Sequence, residues 1–390
     1  MWHRIPVWFR RLARWRAALA VGVALAACAA SGPAAHGQRI AKYGADFLAG
    51  GVGARALGMG GAYVGIANDV TAGYWNPAGL HQLQYPEIAY MHVERFAGAV
   101  SFDYGAGALP ISERSTVSLS FFRSGVNDIV NTLEAWDPSL GQPKPNYESY
   151  ITRFSAADYA FFLGYARHLS GDLTLGLTGK IIRRTIGDFA DAWGYSFDAS
   201  LQYRTGPVRL GATVQDLSTM LQSWSVNRSA FQATDGDGNP IPFEEAFGQT
   251  VPEGGTALVL PVARLGSGVV LPLGTAHRVT LGLDVDLAFD GQQAFVPNVG
   301  DVSFHPRVGG EYSYKDVVAL RAGVNRVQVG DDIGLDVTPS VGAGLTLEQF
   351  SIDVSFGDFT GLTAEDLGYS YRISAQLRLE QPGLKRGGEN

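Results

Sequence analysis

Three short stretches of the 390-residue chain carry residue types that could do chemistry. His168-Leu169-Ser170 places a base two residues from a hydroxyl nucleophile, as acyl-transfer chemistry needs. Asp235-Gly-Asp-Gly-Asn239 resembles the opening of a calcium-binding loop, and Gly51-x-Gly53-x-x-Ala56 matches the spacing of a dinucleotide fingerprint. Each pattern needs a particular structural context before it can act.

None of the three contexts is predicted. His168 and Ser170 fall at a predicted short turn, where a solvated turn is favoured, and a nucleophile of this kind would also need an orienting acid and an oxyanion hole. The calcium pattern requires Gly and Glu where Pro240 and Ala246 stand, so an acidic turn is favoured, although nearby Glu244 and Glu245 leave loose calcium binding open. The dinucleotide motif lacks a preceding strand and a βαβ unit. We therefore expect no catalytic residue, no metal site and no cofactor.

The amino terminus reads as a secretory signal peptide covering residues 1–37. Five arginines in residues 1–16 precede an unbroken small, apolar stretch from Ala17 to Ala30. Cys28, the single cysteine, could be a lipidation site after Leu25-Ala-Ala, but Ala35-His36-Gly37 also fits cleavage before Gln38, which we expect. Removal of the peptide leaves 25 basic against 37 acidic residues, or −12. A chain this acidic is a poor binder of nucleic acid.

Strict alternation of apolar and polar residues dominates the rest of the chain. It runs through residues 193–204, 279–289, 350–356 and 369–379. Several such runs span about 10–14 residues, which exceeds the usual strand length and suits a tilted strand that crosses a bilayer. Aromatic residues collect near strand ends, as in the girdles of membrane barrels.

The predicted strands number fourteen between residues 86 and 380, an even count. The connections longer than about ten residues, 125–156, 218–259 and 291–303, are all odd-numbered, so we expect the long loops on the outer side of the membrane and the short turns on the periplasmic side. The sequence therefore predicts an all-β fold: a 14-stranded antiparallel transmembrane β-barrel over 86–380, with a polar tail over 381–390. Its charged alternating positions are predicted to face the lumen: Lys180, Asp198, Arg204, Asp284, Asp286, Asp353, Arg372 and Arg378.

A different segment, residues 38–85, precedes the barrel. Glycine and alanine dominate it without period-2 alternation, and Asn76-Pro77 gives a turn signal just before the first strand. Small residues allow close backbone packing, so we expect a plug that folds inside the lumen. Its characteristic positions are Gly53, Arg55, Gly58, Gly60, Gly61, Asn68, Asp69, Asn76, Pro77 and Gly79.

The same segment carries a family resemblance. Gly53-Ala-Arg-Ala-Leu-Gly-Met-Gly-Gly-Ala62, Ala67-Asn-Asp69 and Tyr74-Trp-Asn-Pro-Ala-Gly79 resemble the start of the PorV/PorQ family, and Arg307-Val-Gly-Gly-Glu-Tyr312 with Ala319-Leu-Arg-Ala-Gly323 resembles a late hairpin of that family. The resemblance covers essentially the mature chain. It implies an outer-membrane barrel in contact with outer-membrane lipid. In PorV-like members it implies type IX secretion: binding of the C-terminal signal domain of cargo and contact with translocon and attachment proteins. The wider group resembles FadL-type barrels.

Two functions therefore follow as expectations. The first is a protein-binding barrel of the PorV type, whose long outer loops would use residue types mostly enriched at interfaces: Trp136, Tyr147, Tyr150, Trp224 and Phe231. The alternative is a FadL-like transporter of hydrophobic solutes such as long-chain fatty acids, with the plug as its gate. The charged lumenal positions argue against an apolar conduit and favour the first expectation.

Overall fold

The computed structural model describes residues 39–40, 46–95, 98–235, 238–289, 302–330, 334–357 and 370–387. The predicted signal peptide, Cys28 and the cleavage position before Gln38 lie outside these residues, as does most of the predicted loop 291–303. Within the described part of the chain, each helix is too short or too polar to cross a membrane.

Fourteen strands form the wall of the molecule. They are β1 Glu87–Arg95, β2 Val100–Ser112, β3 Ser115–Asn131, β4 Thr152–Ser170, β5 Leu173–Ile186, β6 Ala190–Thr205, β7 Val208–Gln215 continued by Met220–Val226, β8 Gly255–Val259 continued by Val262–Leu273, β9 His277–Ala288, β10 Ser303–Tyr314, β11 Val318–Gly330, β12 Gly334–Leu347, β13 Phe350–Gly357 and β14 Ser370–Arg378.

Every neighbouring pair of these strands is antiparallel, and the ring closes where β1 pairs with β14. Glu87 stands opposite Arg378 in that closing pair. The even-numbered connections are short turns of two or three residues, such as 113–114, 171–172 and 348–349. The structure thus confirms the predicted closed, antiparallel barrel of fourteen strands and its all-β class.

Several strands on the long-loop side extend beyond their predicted ends. The β3–β4 pairing continues as far as Asn131 and Thr152, past a bulge where Asp128 adopts a φ of 58°. Likewise β7 and β8 pair again between Met220 and Val259 after a local interruption. The loops between these strands are therefore 132–151 and 227–254. They are shorter than predicted, because strand pairing continues into residues that were predicted as loops.

Strand β6 shows how the alternation sorts side chains between the two faces. Trp193, Tyr195 and Phe197 point outward and are 56%, 55% and 58% exposed, whereas Ser196 and Asp198 point inward and are buried. Large exposed apolar residues occupy outward positions on the other strands too, for example Leu119, Leu163 and Leu283. An apolar exterior around a hydrogen-bonded ring is the arrangement that a bilayer requires.

Residues 46–83, here called the inner segment, lie among the inward-facing side chains of the barrel. They form three short helices, α1 Asp46–Ala49, α2 Ala54–Gly58 and α3 Ala72–Trp75, followed by a 3-10 helix Pro77–Gln82. Met59, Tyr63 and Trp75 have almost no exposed surface. A fourth helix, α4 Phe243–Phe247, lies in the outer loop 227–254.

Candidate functional site

Glycines on the inner face of the barrel make a shallow groove for the backbone of the inner segment. A Cβ added at Gly309 would overlap the carbonyl oxygen of Met59, and one at Gly211 would overlap that of Val64. Equivalent positions occur once on each of six strands: Gly176, Gly211, Gly266, Gly282, Gly309 and Gly323. Only glycine permits so close an approach of two backbones. The barrel wall from β5 to β11 is therefore shaped around this segment.

Arg55 ties helix α2 to the wall through charge-assisted hydrogen bonds. Its Nε and Nη2 each donate to a carboxylate oxygen of Glu311 at 2.8 Å, and its Nη1 donates to Asn68 Oδ1 at 2.8 Å. Arg321 also donates to Glu311 at 2.7 Å, and it reaches Asp353 at 2.7 Å. Burial alone would lower the pKa of Arg55, but Glu311, Tyr63 and Asp69 raise it well above its ordinary value, so the guanidinium stays charged.

Two further polar residues fix the middle of the inner segment. Asp284 Oδ2 accepts hydrogen bonds from the backbone N–H groups of Tyr63 and Val64, both at 2.7 Å. The Asn76 amide donates to the carbonyl oxygens of Val64 and Leu201, while its oxygen accepts from the N–H of Ala78. Buried amides and carboxylates used in this way satisfy backbone groups that regular secondary structure leaves unpaired.

The other buried charges of the wall are paired with each other. Lys180 Nζ lies 2.8 Å from Asp198 and 2.5 Å from Asp216. Asp286 contacts Arg307 at 2.6 Å and Arg264 at 3.4 Å. Five of the charged partners in these clusters were not predicted from the sequence: Asp216, Arg264, Arg307, Glu311 and Arg321. Apolar–polar alternation along the strands could have identified these residues, because each lies at an inward position of a strand or next to one.

The lumen has a second, apolar wall on the opposite side, formed by β1 to β5. Its large apolar inward residues are Met91, Val93, Phe102, Tyr104, Phe122, Phe162 and Ile182, all buried; small polar residues such as Ser118, Ser120 and Thr178 lie between them. Phe47 and Leu48 of helix α1 belong to the same buried cluster. The Phe122 ring centroid lies 5.8 Å from that of Phe102 and 6.1 Å from that of Phe47. The charges that argued against an apolar conduit are paired and mostly occupy the other wall, although the Arg184–Asp158 pair belongs to β5 and β4.

A small cavity borders this apolar wall. It measures about 10 Å³, room for about one water, and is lined by Gly50, Gly51, Leu57, Val93, Arg95, Phe102 and Arg372. Gly51 adopts a φ of 75°, and a Cβ there would come within 2.9 Å of Trp75. The inner segment therefore fills the described lumen almost completely in this conformation.

The predicted plug positions cluster as a packed unit. Gly53, Gly60 and Gly61 adopt φ values of 80°, 65° and 71°, which favour glycine. Gly58 and Gly79 approach other backbone atoms closely, and Pro77 begins the 3-10 helix. Asp69 accepts hydrogen bonds from Tyr63 and Thr71. Of the predicted lumenal charges, Arg372 is buried, whereas Arg204 and Arg378 lie exposed at the short-turn rim, where Arg378 meets Glu87 and Glu380.

The five aromatic residues predicted on the outer loops divide into two groups. Trp136, Tyr147 and Tyr150 of loop 132–151 are exposed. Trp224 and Phe231 are half-buried: the Arg184 guanidinium lies over Trp224, and Phe231 packs edge-on against Phe189 and Phe243. Trp224 and Phe231 are therefore less available to a partner than the first three, because the extended hairpins and loop 227–254 pack on each other.

The three motifs that could carry chemistry, at His168, Asp235 and Gly51, make ordinary structural contacts. His168 stacks on His81, with ring centroids 5.0 Å apart. Asp235 accepts hydrogen bonds from the backbone and side chain of Asn239, which closes a turn whose residues 236–237 lie outside the described part. Gly51 and Gly53 lead into helix α2, whose residues are packed against the barrel. Among the described residues, no cluster of three His, Cys, Asp or Glu side chains is arranged to hold a metal ion.

Comparison with known proteins gives a fold. The chain is similar to the CymD monoaromatic hydrocarbon channel (13% identity, TM-score 0.52), covering 85% of this chain and 98% of that one. It is also similar to the Pseudomonas putida toluene transporter TodX (13%, 0.53, 84% and 96%) and the Ralstonia pickettii toluene transporter TbuX (14%, 0.51, 85% and 99%). No protein-family model and no curated protein matches the chain. It therefore shares the barrel fold of these channels at low sequence identity.

Proposed function

We propose that this protein is an outer-membrane channel for small hydrophobic solutes, closed in the present conformation by its inner segment. The apolar wall carries the proposal. Seven buried residues from five adjacent strands line one side of the lumen. On the opposite side, the Arg55–Glu311 ion pair anchors the inner segment to the barrel wall. Ligand paths for hydrophobic molecules are lined mainly by apolar and aromatic side chains.

Helix α1 occupies the place through which a solute would pass. Phe47 packs on Phe122, and the hydrogen bond from the Tyr74 hydroxyl to the Leu48 carbonyl is the side-chain bond that holds the helix there. By contrast, α2 and the residues after it are bound to the wall by Glu311, Asp284 and the glycine groove. The fold likeness to two toluene transporters and a monoaromatic hydrocarbon channel supports the same function.

The experiment measures entry of labelled toluene into cells that lack their own channel for hydrophobic solutes. Wild-type protein should raise the entry rate above that of empty cells. Phe122→Asp places a charge among the aromatic rings of the apolar wall and should lower the rate about tenfold. Tyr147→Ser, which alters an exposed outer-loop residue, serves as the matched control and should leave the rate unchanged. Equal rates in wild-type and empty cells would refute the channel.

A second candidate function rests on the outer loop 132–151. Trp136, Tyr147 and Tyr150 are all exposed on this loop. Aromatic residues are enriched at the surfaces through which proteins bind partners. This observation supports the PorV-like alternative, in which the loop would bind C-terminal signal domains of type IX cargo or attachment proteins. Binding of a purified signal domain to the wild-type protein and to Trp136→Ala/Tyr147→Ala would test it. No binding by wild type would remove this candidate.

A further inference from the structure

Two groups of basic side chains in the described barrel differ in their partners. In the first group each cation touches a carboxylate, as burial of a charge requires; these are Arg55, Lys180, Arg264, Arg307 and Arg321. The second group lies at the short-turn end of the lumen and consists of His81, His168, Arg204 and Arg386. No carboxylate among the described residues makes an ion pair with any of these four, in contrast to the first group.

The four groups come from four different elements. His81 lies in the 3-10 helix of the inner segment, His168 at the end of β4 and Arg204 at the end of β6. Arg386 comes from the C-terminal tail, and it donates to the carbonyl oxygens of Leu83 at 2.9 Å and Ser112 at 3.0 Å, as well as to Thr116 Oγ1. The tail thus brings a guanidinium across the mouth of the barrel, although all its acceptors are neutral.

One orphaned atom marks this end of the lumen. His81 Nδ1 is buried with no hydrogen-bond partner among the described residues, and its ring lies parallel to that of His168 at 5.0 Å. The Arg204 guanidinium is exposed at the same rim and makes no hydrogen bond or ion pair in the described structure, although partial burial lowers its pKa and Asp172 of the neighbouring turn raises it. Buried polar groups without partners are rare and mark strain or an absent ligand.

We propose that His81, His168, Arg204 and Arg386 form a binding site for an oxyanion, a carboxylate or phosphoryl group, at the periplasmic mouth of the barrel. Asp172 and Glu113 lie on the adjacent turns but form no ion pair with these four groups in the described structure, so an anion there could accept charge-assisted hydrogen bonds from the guanidinium and imidazole groups. The site differs from the apolar wall and does not depend on the channel function.

Binding should strengthen as the pH falls. Burial and the charges of Arg386, His168 and Arg204 lower the pKa of His81 to about 4 in the empty site. A bound anion favours the protonated imidazole and so raises this pKa, which makes proton uptake and anion binding mutually reinforcing. The other charged groups that face His81 are the two arginines, which stay charged throughout; Asp172 and Glu113 lie on the adjacent turns.

The test uses the purified full-length barrel in detergent, in a buffer free of phosphate and sulfate. Sulfate is the phosphoryl probe because it remains a dianion across the range, and glutarate is the carboxylate probe. Isothermal titration calorimetry should show saturable binding of one or both probes. The dissociation constant for sulfate should be about tenfold lower at pH 5.5 than at pH 7.5. Preference for sulfate assigns a phosphoryl ligand, and preference for glutarate assigns a carboxylate.

Variants separate the site from general charge effects. Arg204→Gln and His168→Asn should each weaken binding about tenfold. Arg209→Gln is the matched control: this arginine lies on the same rim, but it donates to the backbone oxygens of Gly206 and Val208, so its loss should change affinity less than about threefold. Migration as a folded barrel in unheated gel samples shows that each variant is folded. Absence of saturable binding by either probe, or equal losses in all three variants, would overturn the proposal.

Discussion

The guanidinium of Arg55 meets the carboxylate of Glu311 through two parallel hydrogen bonds of 2.8 Å, across 256 residues of sequence. The pair joins the inner segment to strand β10. Removing Arg55 would leave Glu311 with Arg321 as its remaining cation, so the loss should be smaller than the cost of about 3–5 kcal/mol for a fully broken buried pair.

Arg55→Met should therefore loosen the inner segment while the barrel stays closed, because the wall is held by its own backbone hydrogen bonds. Hydrogen exchange should rise in residues 53–69 and remain low in β10 and β11. The double variant Arg55→Met/Glu311→Gln removes both charges and should recover part of the protection. Unchanged exchange in Arg55→Met would show that the pair does not hold the segment.

The glycine groove predicts a contrast between two valine substitutions. Gly309→Val would drive its side chain into the backbone of Met59, whereas Gly105→Val meets no atom within 4 Å. Gly309→Val should expose the inner segment to added protease; Gly105→Val should not. Both variants should migrate as folded barrels in unheated gel samples. Equal protease resistance in the two variants would contradict the role assigned to the groove.

Much of the wall could be predicted from the sequence because its information is local. Period-2 alternation places Asp198 and Asp284 on the inner face, and loop length orders the connections. Alternation does not say which strands face each other across a lumen, so it gave no reason to join Arg55 with Glu311. Nor did it show that Phe102 and Phe122 lie on a different wall from Arg264 and Asp286. Those relations depend on the curvature and register of the closed ring.

The orientation of the barrel predicts opposite accessibility for two sites. Asp235 belongs to the long loop 227–254, and Gly171 to a two-residue turn between β4 and β5. An epitope tag inserted after Asp235 should bind antibody on intact cells. A tag at Gly171 should bind only after the outer membrane is permeabilised. The reverse pattern would invert the assigned topology.

His81 predicts a pH dependence of stability. Its pKa is about 4 in the folded protein against an ordinary value near 6.5, so the unfolded chain binds the extra proton as the pH falls through this window. The stabilising contribution is present above pH 6.5 and is lost progressively towards pH 4. We therefore compare unfolding by guanidinium chloride at pH 7 and pH 4.5, in buffer without sulfate or phosphate. The denaturant concentration at the unfolding midpoint should fall further for wild type than for His81→Gln. Parallel curves for the two proteins would argue against a buried, neutral His81.

Toluene entry in Phe47→Ala cells tests the central claim most directly. Shortening this side chain removes the ring that packs on Phe122, so it opens space along the apolar wall without touching the ion pairs that hold α2. We expect folded Phe47→Ala protein to admit labelled toluene several-fold faster than wild type, at equal amounts in the outer membrane. An entry rate no higher than that of cells without the protein, for both wild type and Phe47→Ala, would contradict the account of a hydrophobic-solute channel closed by its inner segment.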